Sequence, residues 1–527
     1  MKPKYFGALM VSGLLLSPEA SAQDTYVNEQ ITSVSDINGT ARYVGMGGAL
    51  GALGADMSVI SANPAGIGLF RKADVSASIS VLTQADKSSP QDYFTHFSLD
   101  QMGFVLTAKM HGSALKYLNF GANYQKKANF NHSFVADKSD TYGLSQTDQL
   151  ASLTNQFGRW DGAPPKFYFP GDLATTAYDA FLLNQTDQGV FFGQGSFANQ
   201  FARVTKGSLQ GFDLNLSGNV KDRFYWGVTL GIDYLDYSSE AYYTEFSEGE
   251  NGALYDYNAY SYRSISGCGV NAKFGFIARP IENSAFRLGF TFETPTFYSL
   301  ETSGDMNIES HFDEKGNHDN AQLYRYYGPE DNYFDYSLLT PWKVRLSAGH
   351  TIGDFFAIGL EYEYLNYAFT KMGYIDYDGW GGTRRDEAMN EHTERTLKGG
   401  HNFKVGMEFK IYKGLSGRLG YNYYSTPYEE TARMSQHLDS YALNFSTSTD
   451  YMNRSDANLY TVGLGYKRKG FYVDLVYKLR TQSGNFYAFD DSFVHDTDYT
   501  GPKDVRLDPV HVNLNRHQVG LTVGYKF

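Results

Sequence analysis

Polar and apolar residues alternate with a period of two along most of the chain from about Ala73 onward. Successive side chains of a β-strand point to opposite faces, so each such stretch is predicted to be a strand with one apolar face. The pattern predicts about fourteen strands. They lie near 73–83, 101–110, 116–130, 207–218, 222–238, 261–279, 284–300, 336–349, 354–370, 398–410, 414–428, 457–467, 470–481 and 515–527.

The apolar face of these strands is typical of a wall that contacts lipid. Val228, Leu230 and Ile232 alternate with small or polar residues, and the last strand ends on the aromatic Phe527. An Arg or Lys on a lipid-facing strand position costs about 2–4 kcal/mol at the middle of the bilayer. We therefore expect the charged face to line a wet or protein-filled lumen. The repeated pattern predicts an all-β protein, a transmembrane antiparallel β-barrel of the bacterial outer membrane.

The lengths of the links between predicted strands support this interpretation. Short links and long links alternate without exception, as the periplasmic turns and external loops of such barrels do. This parity predicts that both termini lie in the periplasm. The short links are 111–115, 219–221, 280–283, 350–353, 411–413 and 468–469; the long links are 84–100, 131–206, 239–260, 301–335, 371–397, 429–456 and 482–514.

The N-terminal residues have the features of a secretory signal. A short basic region is followed by a mostly apolar run that is too short to span a bilayer, and then by Ala20-Ser21-Ala22. Residues 1–22 are therefore predicted to be a signal peptide, so that the mature chain starts at Gln23. Cys268 is the single cysteine of the sequence, which excludes an intramolecular disulfide and a lipid-modified cysteine after the cleavage site.

Composition is consistent with the same class of protein. Aromatic residues make up 16% of the chain, with 43 Tyr and 38 Phe against 4 Trp, and such rings suit strands and membrane interfaces. The net charge of -13 argues against nucleic acid as a partner. A barrel of fourteen strands is too wide for its own side chains to fill, so something else must close it. Residues 23–72 are predicted to be this plug, or hatch, and residues 73–527 the barrel.

The segment that is expected to close the lumen is rich in small residues and contains Asn63-Pro64-Ala65-Gly66. Here the sequence resembles the FadL/TodX/OmpP1 family of outer-membrane transporters for hydrophobic compounds. In that family such a hatch precedes the first strand of a fourteen-stranded barrel. The resemblance covers the mature chain in architecture but only residues 41–71 in specific motif. We expect the Asn63 amide to bond to backbone of the hatch or the wall. The turn is either part of a static plug or part of a hatch that shifts when ligand binds.

The resemblance implies a mechanism as well as a fold. A hydrophobic small molecule, with long-chain fatty acids as the default, would be captured by external loops and held in a lumenal pocket. It would then leave sideways where the third strand is kinked. Gly121 is the candidate for this kink, although a lone glycine in a strand also commonly serves packing. The resemblance implies a monomer without cofactor, whose partners are the ligand, outer-membrane lipid and the barrel-assembly machinery.

The long link 131–206 is the candidate for ligand capture. Two short amphipathic helices are predicted in it, at 144–153 and 177–183. Its apolar residues either bind ligand or pack on one another as a lid over the barrel. The capture candidates are Phe181, Leu182, Leu183, Phe191 and Phe192.

Other chemistry has weaker support. No histidine lies in a nucleophile or metal motif, so we expect no enzyme and interpret four of them as surface residues: His392, His401, His495 and His511. Two acidic groups are calcium candidates without the spacing of a known calcium loop, and a solvated loop is favoured: Asp376 with Asp378, and Asp490, Asp491, Asp496 and Asp498. Four charges are expected to pair along the lumen wall or to meet a ligand carboxylate: Lys343, Arg345, Lys404 and Glu408. A haem-like ligand, or a surface-binding role for the Tyr-rich loops, is the alternative function.

Overall fold

The structure is a computed structural model that describes residues 25–33, 36–84, 94–111, 114–161, 166–248, 254–310, 324–328, 333–375, 383–434, 440, 446–490, 492–494, 503–505 and 507–527. The predicted signal peptide lies outside these residues. Among the residues described, no helix is both long enough and apolar enough to cross a membrane.

Fourteen antiparallel strands form one closed barrel, which confirms the predicted fold class. Each strand pairs with its neighbours in the chain, and the last pairs with the first from Asp74↔Lys526 to Thr83↔His517. The strands are β1 Asp74–Gln84, β2 Phe94–Lys109, β3 Leu115–Asn129 with its continuation His132–Lys138, β4 Ala198–Val220, β5 Phe224–Glu248, β6 Leu254–Ala278, β7 Arg287–Glu293 and Phe297–Ser310, β8 Tyr333–Leu339 and Lys343–Ile352, β9 Phe356–Asn366 and Lys371–Ile375, β10 Gly399–Tyr412, β11 Leu415–Tyr424, β12 Ala457–Arg468, β13 Phe471–Thr481 and β14 Arg516–Lys526.

The two faces of the strands point as the alternation predicts. On β5, Val228, Leu230 and Ile232 are exposed on the outside of the barrel, whereas Thr229 and Asp233 between them are buried inside. The outward face is apolar around the barrel, so this surface suits the hydrocarbon of a bilayer. The chain therefore spans a membrane as a barrel whose lumen is lined by small, polar and charged side chains.

The predicted link 239–260 is wrong, because β5 and β6 extend through most of it. Their outward residues turn polar beyond Tyr234, as Asp236 and Ser238 illustrate, so the apolar alternation disappears while the strands continue. Three other strands are interrupted: β7, β8 and β9. Pro295 and Pro341 lie in the first two interruptions, where a residue without an N–H cannot continue the ladder.

Further elements lie inside the barrel and at the end where the long links emerge. The helices are α1 Thr25–Thr32, α2 Ala41–Gly45, α3 Val59–Ala62, α4 Gln146–Phe157, α5 Asp172–Asp179 and α6 Glu387–Thr396, with 3-10 turns at Pro64–Leu69 and Tyr367–Phe369. The short strands are Arg159–Asp161, Lys166–Tyr168, Asn184–Gln185, Phe191–Phe192, Tyr324–Tyr327, Thr383–Arg385, Tyr451–Arg454, Ser483–Tyr487, Ser492–Val494, Lys503–Val505 and Val510–Asn513. The long links and the ends of β5 to β7 share one buried apolar cluster, which we call the outer cap.

Candidate functional site in the barrel lumen

Residues 36–70, here called the inner segment, lie inside the ring of strands. Ala41 N donates to Thr522 Oγ1 of β14 at 2.6 Å, and Arg287 Nη1 of β7 donates to Leu53 O at 2.7 Å. Asn119 Nδ2 of β3 donates to Ile67 O at 2.7 Å. Because these strands stand at different sides of the barrel, the inner segment fills the lumen at this level.

Glycines on the inner face of the wall make room for the inner segment. A Cβ added at Gly406 of β10 would lie 2.0 Å from Met46 O, and one at Gly359 of β9 would lie 1.9 Å from Ala49 O. No real Cβ approaches a backbone oxygen so closely, so these positions require glycine. The small residues that alternate with apolar ones in several strands thus serve close packing against the inner segment.

The Asn63-Pro64-Ala65-Gly66 turn bonds to backbone on both sides, as predicted for Asn63. Asn63 Nδ2 donates to Gly51 O at 2.8 Å and to Phe276 O of the wall at 3.4 Å. Asn63 Oδ1 accepts from Ala65 N at 3.1 Å, and Pro64 O accepts from Ser217 Oγ at 2.9 Å. The short helix before it, α3, ends one residue ahead of Asn63. The turn therefore joins the inner segment to the wall through hydrogen bonds.

Buried ion pairs line the wall around the inner segment. The predicted pairing of Lys343, Arg345, Lys404 and Glu408 is confirmed: the pairs are Lys343–Glu293 at 3.5 Å, Arg345–Glu293 at 2.9 Å, Lys404–Glu361 at 2.8 Å and Arg418–Glu408 at 2.6 Å. The row of pairs continues next to Glu293, where Lys273 pairs with Asp213 at 3.0 Å and Lys127 with Asp233 at 2.5 Å. A neutral hydrocarbon cannot replace the partners of such charges, so this level of the lumen resists apolar solutes.

A cavity of about 120 Å³ lies between α1, the interruption of β3, β4, β13 and β14. Its lining combines apolar and aromatic side chains with arginines. The apolar members are Tyr26, Val27, Ala128, Phe130, Phe134, Tyr428, Tyr451, Met452 and Leu514, and the basic members are His132, Arg203, Arg454, Arg480 and Arg516. The lining also contains two carboxylates, Asp36 and Asp450, which pair with Arg516 and Arg203 respectively. A cavity of this composition can hold an apolar chain and an anionic group together.

Two of these arginines stand directly opposite each other on neighbouring strands. Arg480 of β13 is the register partner of Arg516 of β14. Two like charges in this position repel each other unless an anion lies nearby. Asp36 of the inner segment supplies one anion, at 3.6 Å from Arg516 Nη2. Among the described residues, Arg516 Nε and the buried Nε2 of His132 have no hydrogen-bond partner. The site thus retains donor capacity for an anionic ligand.

Strands β2 and β3 separate beside this cavity. Their last register pair is Gln101↔Gln125. Beyond it β2 continues to Phe94 in pairing with β1, and β3 continues to Lys138 in pairing with β4. Among the described residues, the facing edges of β2 and β3 share no ladder pairs along this stretch. The barrel wall is therefore split here, and we call this stretch the β2–β3 split.

Side chains bridge the β2–β3 split. Asn38 of the inner segment donates through Nδ2 to Asp100 Oδ1 of β2 at 3.0 Å, and its carbonyl accepts from Gln125 Nε2 of β3 at 2.6 Å. At the other end, Ser133 N of β3 donates to Gln84 Oε1 of β1 at 2.9 Å. Side-chain hydrogen bonds thus stand where a barrel normally has a backbone ladder.

The irregular part of β3 does not lie at Gly121, where the kink was predicted. Gly121 pairs regularly with Val105 and Asn215, and the register shifts at Leu115/Tyr117 and Lys126/Ala128. A Cβ at Gly121 would lie 2.9 Å from Ile60 Cδ1 of the inner segment. Close packing therefore explains this glycine, and the bulge near Ala128 marks the irregular part.

The predicted capture residues lie in or against the outer cap. Leu182, Leu183 and Phe191 are buried in its core, Phe181 packs against it half-buried, and Phe192 is 38% exposed. The first predicted helix is α4, capped by Ser145, whereas the second begins earlier than predicted and ends at Asp179. These residues pack on one another as a lid does, and only Phe192 among them faces solvent substantially.

Of the four histidines that were predicted to lie at the surface, one is buried and two are exposed. The prediction that His392 lies at the surface is wrong: it is buried in α6, with Nδ1 2.9 Å from Thr25 Oγ1 and Nε2 2.8 Å from Arg433 O. His401 and His511 are exposed. Asp490 is buried, while the other calcium candidates (Asp376, Asp378, Asp491, Asp496 and Asp498) and His495 lie outside the described residues. Among the described residues, no group of three His, Cys, Asp or Glu side chains is placed to hold a metal ion.

Sequence reasoning did not identify the arginines of the cavity. Arg203 lies on β4, far along the chain from Arg480 and Arg516 on β13 and β14, and Asp36 comes from the inner segment. The only local signal was that Arg480 lies on the inner face of its strand. The pairing register that sets Arg480 against Arg516 cannot be deduced from one sequence, since a slip of one residue would reverse the face.

Comparisons with known proteins found similar folds at low identity. A Pseudomonas aeruginosa FadL homologue is 12% identical over 93% of this chain and 99% of its own, with a TM-score of 0.49. The P. putida toluene transporter TodX (11%, 93% and 99%, TM-score 0.46) and the Ralstonia pickettii toluene transporter TbuX (11%, 93% and 98%, TM-score 0.45) are also similar. No protein-family model and no curated protein matches the chain. The Asn63-Pro64-Ala65-Gly66 segment also resembles the family that contains FadL and TodX. At these identities and TM-scores, however, the structural likeness assigns no function.

Proposed function

We propose that this chain is an outer-membrane channel for uptake of hydrophobic small molecules that carry an acidic group, such as long-chain fatty acids. The observation that carries the proposal is the cavity in which arginines and aromatic rings meet beside the β2–β3 split. An apolar chain gains free energy when it leaves water for aromatic and aliphatic side chains. A carboxylate gains charge-assisted hydrogen bonds from guanidinium groups.

The lining of the cavity favours an acidic amphiphile over a plain hydrocarbon. A buried N–H group without a hydrogen-bond acceptor is costly, so an apolar ligand alone would leave Arg516 Nε desolvated and unpaired. A carboxylate placed near Arg516 Nε and His132 Nε2 would use donors that lack a partner among the described residues. The toluene named for the solved TodX and TbuX structures is therefore a less suitable ligand for this cavity.

Release would proceed sideways through the β2–β3 split. The inner segment and the layer of buried ion pairs block a direct path along the barrel axis for an apolar chain. Phe97 and Leu99 on the β2 side of the split are exposed to the outside by 70% and 39%, so the split borders the hydrocarbon of the membrane. A ligand can thus pass from the cavity to the lipid without crossing the charged layer.

The inner segment would act as the hatch of this channel. Asn38 bridges both edges of the split, and Asp36 and Asn38 are two residues apart in the chain. A ligand carboxylate that competes with Asp36 for Arg516 would leave Lys478, at 2.6 Å, as the ion-pair partner of Asp36 and so weaken the hold of the wall on the residues next to the Asn38 bridge. The start of β1 and the end of β14 would lie on the periplasmic side, at the end of the barrel that carries the short turns, whereas α1 packs against α6 of a long link.

The test combines extraction of native ligands with measured affinity. We expect mass spectrometry of extracts from the purified protein to find acidic amphiphiles, and Arg516→Gln to weaken binding of a fluorescent fatty acid by about tenfold, the loss of one charge-assisted hydrogen bond. Lys206→Gln, which removes a surface charge paired with Glu240 at 3.2 Å, is the matched control. Equal binding by both variants, or extraction of neutral hydrocarbons alone, would refute the acidic ligand.

One observation favours the alternative, a surface-binding role. Aromatic rings form a row at the outside of the 139–197 link, in which Trp160 packs on Phe167 at 5.2 Å and Tyr178 on Phe169 at 4.8 Å. Trp160 is 64% exposed. If the row serves adhesion, Trp160→Ala reduces attachment of expressing cells to hydrocarbon droplets and leaves fatty-acid uptake unchanged. If it serves capture, the same variant slows uptake at low ligand concentration.

A further inference from the structure

The short-turn end of the barrel carries a cluster of exposed basic residues on two adjacent turns and the start of β1. We call it the basic sector, and its members are Lys72, Lys410, Lys413, Lys467, Arg468 and Lys469, all exposed. The two turns are joined by a hydrogen bond from Lys467 N to Gly414 O at 2.8 Å. The cations therefore form one continuous surface at the rim.

This sector is not neutralised by the protein. Among the described residues, none of its six side chains has a carboxylate within ion-pair distance. The adjoining part of the same rim differs, because Arg71 and Lys116 both pair with Asp222, at 2.7 and 3.0 Å, and Arg223 pairs with Glu282 at 3.5 Å. A chain with a net charge of -13 thus keeps a local excess of positive charge in the basic sector.

Exposed apolar side chains alternate with these cations. Ile411 and Tyr412 stand between Lys410 and Lys413 and are 51% and 72% exposed, and Phe471 follows the other turn at 45% exposure. Aromatic rings and aliphatic stems of this kind prefer the boundary between hydrocarbon and head groups, where a basic side chain extends its charge toward water. The occupant that matches both features carries an anionic head group and acyl chains.

We propose that the basic sector binds the head groups of anionic phospholipids in the leaflet that borders the short-turn end. Lys and Arg near a membrane surface are attracted to anionic lipid, and this attraction falls off within a Debye length. An acidic soluble protein matches the charge but leaves Ile411, Tyr412 and Phe471 without an apolar partner. The proposal concerns the outside of the barrel and stands independently of the ligand in the lumen.

The test uses the full-length protein purified in a neutral detergent. Native mass spectrometry counts the phosphatidylglycerol and phosphatidylcholine molecules that remain bound after both are offered in equal amounts. We expect the wild type to retain phosphatidylglycerol at least tenfold over phosphatidylcholine, and Lys467→Gln/Arg468→Gln/Lys469→Asn to lose this preference. Asn suits the positive φ of Lys469 (49°). Added salt should weaken the preference of the wild type.

A second triple variant is the matched control. Lys116→Gln/Lys221→Asn/Arg223→Gln removes the same number of charges from the paired part of the rim, and its Asn again occupies a positive φ, 54° at Lys221. It should keep the preference. Loss in the control as well, or an undiminished preference in the first variant, overturns the proposal. So does competition by soluble glycerol phosphate, since the site would then bind free phosphate. Heat-modifiable migration of each variant on a gel verifies that the barrel is folded.

Discussion

At the scale of single residues, the side-chain hydrogen bonds of Asn63 explain why an asparagine occupies this position of the turn. Its side chain joins the inner segment to itself at Gly51 and to the wall at Phe276, and it caps the turn at Ala65. Removal of a buried amide of this kind costs about 1–3 kcal/mol of stability for each buried donor or acceptor that it leaves without a hydrogen bond. Asn63 therefore holds the inner segment in place more than it stabilises the barrel.

Asn63→Ala is expected to loosen the inner segment without unfolding the barrel. The variant leaves Gly51 O and Ala65 N without their partner, so the segment should be cleaved by protease several-fold faster. We expect the rate of fatty-acid uptake to change, as measured with radiolabelled ligand in whole cells. Asn283→Gly, at an exposed turn with a φ of 60°, is the control. Unchanged uptake of every hydrophobic substrate tested would exclude a gating role for Asn63.

Residues that act locally were predictable, and residues that meet across the barrel were not. The backbone bonds of Asn63 follow from an Asn-Pro turn among small residues, which must spend its amide nearby. His392 was misassigned to the surface because its partners, Thr25 and Arg433, come from distant parts of the chain. The same limit applies to Arg516 and Asp36.

At the scale of elements, the prediction of strands depended on the difference in polarity between the two faces of each strand. All fourteen strands were predicted because lipid requires an apolar outer face. Beyond Tyr234, β5 leaves the apolar band, its outer face becomes polar, and the alternation that marks a strand vanishes. The helix α1 was missed for a related reason: it has eight residues, of which Val27 and Ile31 alone form its apolar stripe, while Thr25 contacts the polar side chains of His392 and Thr393.

The β2–β3 split is expected to be the exit, and a cross-link across it should slow uptake. In a Cys268→Ser background, cysteines at Leu99 and Lys126 flank the split and can be joined by a bifunctional thiol reagent. We expect uptake of a fatty acid to fall at least tenfold, equivalent to about 1.4 kcal/mol in the barrier. Cysteines at Leu106 and Phe120 form the control, because these positions pair in the intact ladder. Equal rates for both cross-linked proteins would place the exit elsewhere.

The helix α4 of the outer cap is expected to become more stable as the pH falls. Burial raises the pKa of the Asp148 carboxyl to about 6, although Gly193 N–H opposes this. A carboxyl whose folded pKa lies above its unfolded value stabilises the folded state below about pH 4, and this contribution is lost as the pH rises through about 6. Hydrogen exchange of α4, corrected for the intrinsic pH dependence of amide exchange, should therefore be slower at pH 5 than at pH 7.

Asp148→Asn is the variant that isolates this effect. It should slow exchange of α4 at pH 7, by up to about tenfold for each unit by which the pKa is raised, and reduce the difference between the two pH values. Glu245 also accepts from α4 at Gln146 N, so part of the pH dependence will remain. Asp187→Asn in the same link is the control. Faster exchange of wild-type α4 at pH 5 would contradict the assigned sign.

At the scale of the whole molecule, the number of strands that closes the barrel also sets the volume of the lumen that must be filled. The alternation of link lengths predicted an even number of strands with both ends of the chain at the same side. The first and last strands do pair from Asp74↔Lys526, but α1 packs against α6 of a long link. A wall of fourteen strands encloses more space than its own side chains fill. The wall accordingly carries inward glycines such as Gly359 and Gly406, which are useful only if a further segment packs against them. Residues of the inner segment lie against these glycines, at Met46 and Ala49 for example.

Removal of the inner segment is therefore expected to convert the barrel into a water-filled pore. A variant with residues 36–70 replaced by a short Gly/Ser linker loses the carbonyls that Asn119 and Arg287 bind, but the ion pairs within the wall, such as Lys273–Asp213, remain. These pairs should keep the barrel folded, as heat-modifiable migration would verify. Cells that express the variant should become permeable to hydrophilic dyes and antibiotics, whereas cells with the wild type should exclude them. A folded variant that still excludes such solutes would mean that the outer cap, and not the inner segment, closes the lumen.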